Sequence, residues 1–179
     1  MHTFFSLPPA HRFTRRWWGR TLAINAVIVV AVFGLIQLVP SGRDNPPVLR
    51  EPVWASPETR DLAAGACFDC HSNQTVWPWY ARIAPVSWVI GYDVTQGREA
   101  LNFSEWDRHA RSETVDPNDP FPPKTLSERI EDEIRGGTMP PGTYRLMHPE
   151  ARLSDAEKEA LIAGLVATVK QNQDASPAE

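Results

Sequence analysis

An uncharged, strongly apolar stretch near the N-terminus divides the chain into two unequal parts. Residues Thr21–Val39 read TLAINAVIVVAVFGLIQLV, which is 19 residues without a charged side chain. A helix of this length rises roughly 28 Å, close to the thickness of the hydrocarbon layer of a bilayer. The stretch therefore predicts a single-pass membrane anchor over residues 21–39, followed by a larger body.

The charges on either side of this stretch predict its orientation. Positions 1–43 carry five arginines and no acid, whereas all 22 acids lie from Asp44 onward. Basic residues beside a span favour the cytoplasmic side, and Trp17 and Trp18 fall where aromatic residues meet the interface. Residues 1–20 are therefore predicted to be a cytoplasmic segment at the bacterial inner membrane, with the body in the periplasm, on the outer face.

Three other interpretations compete with an uncleaved anchor. A cleaved signal peptide would have a shorter apolar core, and Val39-Pro40-Ser41 is a weak cleavage site. Thr14-Arg15-Arg16-Trp17 resembles a twin-arginine export signal only weakly, and charge anchoring explains the same arginines. A buried core helix would be shorter and would lack these flanking charges. The uncleaved anchor is the interpretation that the length and the charges favour.

Composition predicts how the body is organised. Four prolines mark residues 40–55 as an extended linker, which is expected to hold the body away from the bilayer. Residues 56–170 are predicted to form a helical domain, and residues 171–179 a polar, frayed tail. From Asp44 onward, 18 − 5 = 13 basic residues oppose 22 acids, a net charge of −9. Such an acidic body is unsuited to binding nucleic acid, which requires clustered Lys and Arg.

Both cysteines of the chain lie in the motif Cys67-Phe68-Asp69-Cys70-His71. Two thiols at this spacing on a helical turn reach the two vinyl groups of a haem, and the histidine that follows supplies a nitrogen to the iron. A helix from about Ser56 to Cys70 is predicted to carry the motif, with Ser56 as its N-cap and Pro57 in its first turn. The motif thus predicts one covalently attached haem c per chain, with His71 as the proximal ligand of the iron.

Three other uses of this motif were open from the sequence. A thioredoxin-like thiol pair needs a preceding strand, whereas a helical pattern precedes Cys67. A zinc site needs four ligands, and beyond the motif the body offers His109 and His148, which are not paired. A disulfide between Cys67 and Cys70 would leave His71 without a role. The haem interpretation uses all three residues and is favoured.

The candidates for the second axial ligand of the iron are Met139, Met147, His109 and His148. Met139 is favoured because it lies in Gly136-Gly137-Thr138-Met139-Pro140-Pro141. The glycines let the backbone approach a haem, and the prolines stiffen the loop that presents the sulfur. A thioether ligand raises the reduction potential. His71 and Met139 are therefore the predicted metal ligands.

Two sequence patterns predict helices after the motif. Thr125-Leu126-Ser127-Glu128 and Ser154-Asp155-Ala156-Glu157 are capping boxes, and an apolar stripe follows each of them. The second helix is predicted to run to about Lys170 and to cross the first helix of the domain. The fold class is therefore expected to be mostly α, with three to five helices around one haem and little or no sheet.

The order of these elements resembles class I c-type cytochromes: a first helix, C-x-x-C-H, a late Met-Pro loop and a C-terminal helix. Residues from roughly Ser56 to Val169 also resemble a family of haem-binding domains found in membrane-anchored proteins. The motifs that carry this resemblance are Cys67 to His71, Trp77-Pro78-Trp79-Tyr80, Ile83-Ala84-Pro85-Val86-Ser87-Trp88, Gly97-Arg98 and Leu101-Asn102-Phe103-Ser104-Glu105-Trp106. The resemblance implies haem binding in a cytochrome c-like helical domain.

The tryptophan-rich middle of the chain offers groups that suit a flat apolar cofactor with two carboxylates. Four aromatic side chains are candidates for the haem wall, and two arginines are candidates for pairing with a propionate. The carbonyl of Pro78 or Pro85 is expected to accept the ring proton of His71 and so to orient the imidazole. The candidate haem-binding side chains of this segment are Trp77, Trp79, Tyr80, Trp88, Arg82 and Arg98.

These features favour an electron carrier over an enzyme. A six-coordinate iron has no open position for a substrate, so the chain is expected to transfer single electrons on the outer face, alone or within a respiratory or photosynthetic complex. Its acidic body predicts redox protein partners with a basic docking patch. The alternative is a five-coordinate or ligand-switching haem that acts as a gas or redox sensor or as a peroxidase.

Overall fold

The computed structural model describes residues 15–110 and 123–175, and over these residues the fold is helical. Its helices are α1 (Arg15–Ile36), α2 (Pro57–Ala66), α3 (Phe68–His71), α4 (Val86–Ala100), α5 (Trp106–Ala110), α6 (Leu126–Arg135), α7 (Gly142–Met147) and α8 (Asp155–Asp174). Short 3-10 turns lie at Trp79–Arg82 and Pro149–Ala151. The described part contains no strand, only an isolated bridge between Arg50 and Glu105. The prediction of a mostly α fold is confirmed.

Helix α1 has the length and composition needed to cross a membrane, and its apolar side chains are exposed over Trp17–Ile36. Its polar side chains bond along the helix: Thr21 Oγ1 donates to the Trp17 carbonyl at 3.0 Å, and Asn25 Nδ2 to the Thr21 carbonyl at 2.9 Å. Such back-bonding lowers the cost of a polar group among apolar ones. Residues 1–14 of the predicted basic segment and residues 176–179 of the predicted tail lie outside the described residues.

The proline-rich segment 40–55 contains no helix, and it lies along the body. The amides of Leu49 and Arg50 both donate to the Ser104 carbonyl, at 2.9 and 3.0 Å. Further along, the Val53 amide donates to Asn172 Oδ1 at 3.0 Å. Amides outside a helix have no partner within their own segment, and here they bond to the body. The segment is therefore part of the domain surface. The expectation that it holds the body away from the bilayer stays a prediction.

The body is built around the contact between its first and last long helices. Helix α2 packs against α8 where Gly164 faces Thr59, and a Cβ at position 164 would overlap the Thr59 side chain. Helix α6 also packs against α8, so that α8 contacts both α2 and α6. The shared core is apolar and buried, and it includes Ala63, Leu126, Ile130, Ile134, Leu161, Ile162, Leu165 and Val169.

The helix starts that the sequence predicts are confirmed by their caps. Ser56 Oγ accepts from the Thr59 amide at 3.1 Å, and both predicted capping boxes are formed, so α6 begins after Thr125 and α8 after Ser154. The helix count differs from the expected three to five. The body has seven helices among the described residues, because α3, α5 and α7 are short turns of four, five and six residues, and because α4 was not expected.

Four aromatic residues form the part of the core beside the cysteine motif. Phe103 lies 5.2 Å from Trp54, 5.5 Å from Phe68 and 6.2 Å from Trp106, measured between ring centroids. Phe103 and Trp106 are almost completely buried. Large aromatic rings bury much apolar area, so this cluster fixes the motif against the segment 101–106.

Candidate haem-binding site

The cysteine motif forms the turn that joins α2 to α3. Cys67 closes α2, with its amide donating to the Ala63 carbonyl at 2.8 Å, and a φ of −126° there bends the chain. The His71 amide then donates to the Cys67 carbonyl at 2.9 Å. The predicted helix over 56–70 is thus present but broken at Cys67. This turn puts Cys67, Cys70 and His71 along one side of a cavity.

The cavity has a volume of about 690 Å³ and is mainly apolar. This volume falls within the range of about 300 to 1,000 Å³ that is common for small-molecule and cofactor sites. Two thiols and an imidazole lie on one side of it, and Met139 lines it as well. This donor set is the one that a covalent haem with two axial ligands requires. The apolar part of the lining comes from α6, α8 and the segment after α4, and includes Leu101, Phe103, Leu126, Ile130, Ile134, Leu161 and Leu165.

The His71 ring is oriented by a backbone carbonyl. Its Nδ1 lies 3.0 Å from the Leu101 oxygen, which accepts the ring proton and leaves Nε2 as the nitrogen available to a metal. The expected acceptors, Pro78 and Pro85, are replaced by Leu101, because α4 folds back and returns the chain at residue 101 to the motif. Burial lowers the pKa of His71, which favours the neutral imidazole that ligates metals.

A buried polar network holds the Leu101 carbonyl in place. Asn102 Nδ2 donates to Asn73 Oδ1 at 2.9 Å, and Asn102 Oδ1 accepts from the Ser104 amide at 2.9 Å. The Asn73 amide donates to Ser104 Oγ at 2.9 Å, and the Phe103 amide to the His71 carbonyl at 2.8 Å. Because every one of these groups is paired, the segment 101–104 is rigid against the motif. The family resemblance includes this segment, as Leu101–Trp106, but does not predict that it orients the ring of His71.

Burial disfavours the charged thiolate form of both cysteines. Burial, with the nearby Cys70 as a second cause, raises the pKa of Cys67 to about 12. Burial, with Asp69 and Asp93 as further causes, raises the pKa of Cys70 to about 11. Catalytic thiol pairs have pKa values lowered below the ordinary range, because the thiolate is the reactive form. The environment of this pair is the opposite of the one that thiol exchange needs.

Helix α4 approaches the motif more closely than a side chain would permit. A Cβ added at Gly97 would overlap the Cys70 carbonyl oxygen and would lie 3.0 Å from the Cys70 Cβ. The neighbour is backbone, which cannot move aside as a flexible side chain can. Gly97 therefore sets the distance between α4 and the side of the cavity that carries the thiols.

Asp69, inside the motif, connects the cavity to α7. Its Oδ2 accepts from the Tyr144 hydroxyl at 2.8 Å, and its Oδ1 accepts from the Val76 amide at 2.8 Å. Tyr144 lines the cavity, and burial together with Asp69 raises the pKa of its hydroxyl, which therefore stays protonated as a donor. No pattern in the sequence predicted this bond, because α7 is short and its partner lies 75 positions away.

Among the candidates for the second axial ligand, Met139 is the one whose side chain is described at the cavity. Its loop is held by the Met139 amide donating to the Glu133 carbonyl at 3.1 Å. Met147 is exposed and does not line the cavity. His148 stacks on Tyr144 with ring centroids 3.9 Å apart, and its Nδ1 lies 3.1 Å from the Tyr144 carbonyl. The side chain of His109 lies outside the described residues.

The aromatic and basic side chains proposed for the haem wall lie elsewhere: the described lining of the cavity contains none of Trp77, Trp79, Tyr80, Trp88, Arg82 and Arg98. Trp77 Nε1 donates to Asn45 Oδ1 at 3.0 Å, and Trp79 is 73% exposed. Arg98 donates to the carbonyls of Ser72 and Asp44, at 2.8 and 3.0 Å, and so joins the 40–55 segment to the loop after the motif. Among the described residues, the arginine that does line the cavity is Arg129, on α6.

A comparison of the sequence with protein families gives one match. The family described as "Haem-binding domain" matches residues 31–167, which is more than half of the chain and includes the apolar helix end, the 40–55 segment and every group of the cavity. No curated protein and no solved structure matches the chain significantly.

Proposed function

The chain belongs to the family of haem-binding domains, and on that premise we propose that it is a membrane-anchored c-type cytochrome that transfers single electrons. The covalent attachment, the iron ligands and the electron-transfer role are the parts of the proposal that go beyond haem binding. The observation that carries them is that one cavity has two thiols, an oriented imidazole and a thioether in its lining.

The residues of the chain have distinct tasks in this proposal. The thiols of Cys67 and Cys70 would hold the haem through two thioether bonds: each S–H would add across a vinyl group, with sulfur bonded to one carbon, hydrogen to the other, and no leaving group. His71 would hold the iron through Nε2, because the Leu101 carbonyl accepts the proton of its other ring nitrogen. Met139, which lines the same cavity, would hold the iron through its thioether sulfur. Bound in this way, haem iron provides a one-electron couple between its ferric and ferrous states.

The remaining lining supports this role by excluding water and by balancing charge. The apolar side chains of α6 and α8 surround most of the cavity, which favours a low dielectric around the cofactor. Arg129 is the guanidinium available to a propionate, in place of the Arg82 or Arg98 expected from the sequence. An iron held by both His71 and Met139 would have no position left for a substrate, so we infer a carrier and not an enzyme.

The anchor and the topology form a second part of the proposal. Helix α1 supports a single-pass attachment, and the arginines before the apolar stretch 21–39 support an N-terminus in the cytoplasm. The body then lies on the periplasmic side of the inner membrane. Its partners are proposed to be redox proteins with a basic docking patch, because the body is acidic.

Denaturing gels test the covalent attachment. The full chain, expressed with a haem-attachment system, is expected to keep its haem through electrophoresis, as seen by peroxidase staining of the band. Cys67→Ala with Cys70→Ala is expected to lose the stain, although the protein is still present. A wild-type band without haem would contradict the c-type assignment and would leave non-covalent haem binding as the function.

Optical spectra test the ligands of the iron. The purified full chain is expected to be low-spin in both oxidation states, to show a thioether-to-ferric charge-transfer band, and to bind no carbon monoxide when reduced. Met139→Ala is expected to lose that band and to bind carbon monoxide, whereas Met147→Ala, the matched control, is expected to behave as wild type. A high-spin wild-type protein that binds carbon monoxide would instead favour the sensor or peroxidase alternative.

A further inference from the structure

The end of the apolar helix α1 is bonded directly to the start of α4. Gln37, the first residue after α1, donates from Nε2 to the Ala84 carbonyl at 3.2 Å and accepts from the Ala84 amide at 2.9 Å. Trp88 Nε1 donates to the Val39 carbonyl at 3.4 Å, and Arg43 Nη1 to the Ala81 carbonyl at 3.1 Å. These contacts fix residues 81–88 beside the end of the candidate membrane span.

Exposed apolar side chains flank this junction. Trp79, Ile83, Val86 and Val89, here called the 79–89 patch, have exposed fractions of 73%, 37%, 46% and 59%. Leu38 and Val39 are also exposed and continue the apolar surface from α1 towards the patch. Exposed apolar residues scattered singly are ordinary, whereas a contiguous group of them marks an interaction surface.

The polarity of α4 is inverted over its first turns. In the first turn Ser87 is buried, whereas Val86 and Val89 are exposed; further along the helix the ordinary pattern returns, with Val94 buried. A helix on the surface of a soluble domain normally buries its apolar side chains and exposes its polar ones. The inversion is explained if an apolar medium covers the outer side of this helix.

The charges of this stretch also differ from those of the rest of the body. From Val76 to Tyr92 the sequence contains no acid and one basic residue, Arg82, which is exposed, although the body as a whole is strongly acidic. An acid-free apolar surface with a basic residue and a tryptophan suits the interface of a bilayer, where anionic headgroups meet acyl chains.

We propose that the 79–89 patch lies in the interfacial layer of the membrane, so that the haem domain rests on the lipid surface. This inference rests on the proposed anchor, because the lipid is reached through α1. A bilayer is favoured over a protein as the occupant because the patch is continuous with the end of the span. The headgroup region on each side of the hydrocarbon layer is about 5 to 7 Å thick, and Val86 and Val89 lie about 4.5 Å apart along α4, so both fit within it.

Photo-crosslinking in reconstituted vesicles tests this placement. Val89→p-benzoylphenylalanine and Trp79→p-benzoylphenylalanine are made in the full, haem-loaded chain, in vesicles of zwitterionic and anionic phospholipid with a fluorescent acyl chain. The matched control is Leu146→p-benzoylphenylalanine, since Leu146 is 72% exposed and apolar but lies on α7, which packs against the 149–151 turn. We expect several-fold more fluorescent lipid adduct at positions 79 and 89 than at 146.

Flotation of the same vesicles separates the two levels of the proposal. Protein that floats with the vesicles but gives no more lipid adduct at 79 and 89 than at 146 would overturn the patch and leave the anchor standing. Adducts with a second copy of the chain in place of lipid would also overturn the patch. Protein that does not float would overturn the anchor and, with it, the inference that depends on it.

Discussion

At the scale of single residues, Gly97 is the position where α4 approaches the backbone of the motif too closely for a side chain. Gly97→Ala is expected to cost about 1–3 kcal/mol, the usual effect of overpacking, because the added methyl meets the Cys70 backbone. We also expect a lower haem content. Urea unfolding and the haem-to-protein ratio measure the two effects.

Gly65→Ala on α2 is the control, since its nearest neighbour would be 3.8 Å from the new methyl. There the better helix propensity of alanine should leave the protein equally stable or more so by roughly 0.5–1 kcal/mol. Equal behaviour of the two variants would show that α4 does not need its close approach.

Glu51 provides a pH-dependent prediction at the same scale. It accepts from Arg60 Nε at 2.9 Å, and this bond, together with donors from Trp54 and Gln74, lowers its pKa below the ordinary 4.5. A lowered pKa in the folded state stabilises the fold above the ordinary pKa, and this contribution is lost as the pH falls through the folded value. Because both side chains are partly exposed, Glu51→Gln should cost about 1 kcal/mol at neutral pH.

The difference in unfolding free energy between wild type and Glu51→Gln should therefore shrink as the pH falls below 4.5. Denaturant unfolding at several pH values measures it. Glu99→Gln serves as the control, because Glu99 accepts from Gln96 of its own helix. A difference that grows on acidification would contradict the assignment.

Single residues also mark where prediction from the sequence ends. Cys67, Cys70, His71 and Met139 line one cavity, and the sequence could single them out because each belongs to a motif of neighbouring residues. The acceptor for His71 is 30 positions away, at Leu101, and depends on how α4 returns the chain. The partner of Tyr144 is Asp69, which lies 75 positions away and could not be predicted either. Long-range backbone contacts of this kind have no signature in composition or periodicity.

At the scale of elements, the helices with side-chain caps could be predicted and α4 could not. Ser56, Thr125 and Ser154 each begin a helix as expected, since capping is a property of neighbouring residues. Helix α4 lacks a side-chain cap, and its apolar residues Val86 and Val89 are exposed although Val94 is buried, so the usual periodicity does not reveal it. Its environment, and not its local sequence, decides which side is buried.

The crossing of α2 and α8 yields a prediction for paired substitutions. Gly164→Ala is expected to destabilise the protein by about 1–3 kcal/mol, because the new methyl overlaps the side chain of Thr59. Thr59→Ala removes the atoms nearest to that methyl. The double variant should therefore be more stable than the sum of the two single effects predicts, as measured by unfolding in a double-mutant cycle. Strict additivity would contradict a direct contact at this crossing.

At the scale of the whole molecule, the net charge of −9 beyond residue 43 predicts how the proposed electron transfer responds to salt. Long-range attraction to a basic redox partner is screened as ionic strength rises, because the Debye length falls from about 10 Å at 0.1 M to about 3 Å at 1 M. Stopped-flow rates with a basic cytochrome should therefore fall with added salt. With an acidic partner the rates should rise, and a flat response with both would contradict electrostatic steering.

Because hydrogen bonds join residues 37–53 to the body, this segment is not a free linker between the anchor and the cofactor cavity. A tether of free chain would let a carrier swing between partners that sit at different heights above the bilayer. Here Gln37, Arg98 and Ser104 hold that stretch at three separate points. With α1 in a bilayer, the proposed carrier would travel only by lateral diffusion of the whole molecule. Its partners would have to offer their own redox centres at one fixed elevation, close to the lipid surface.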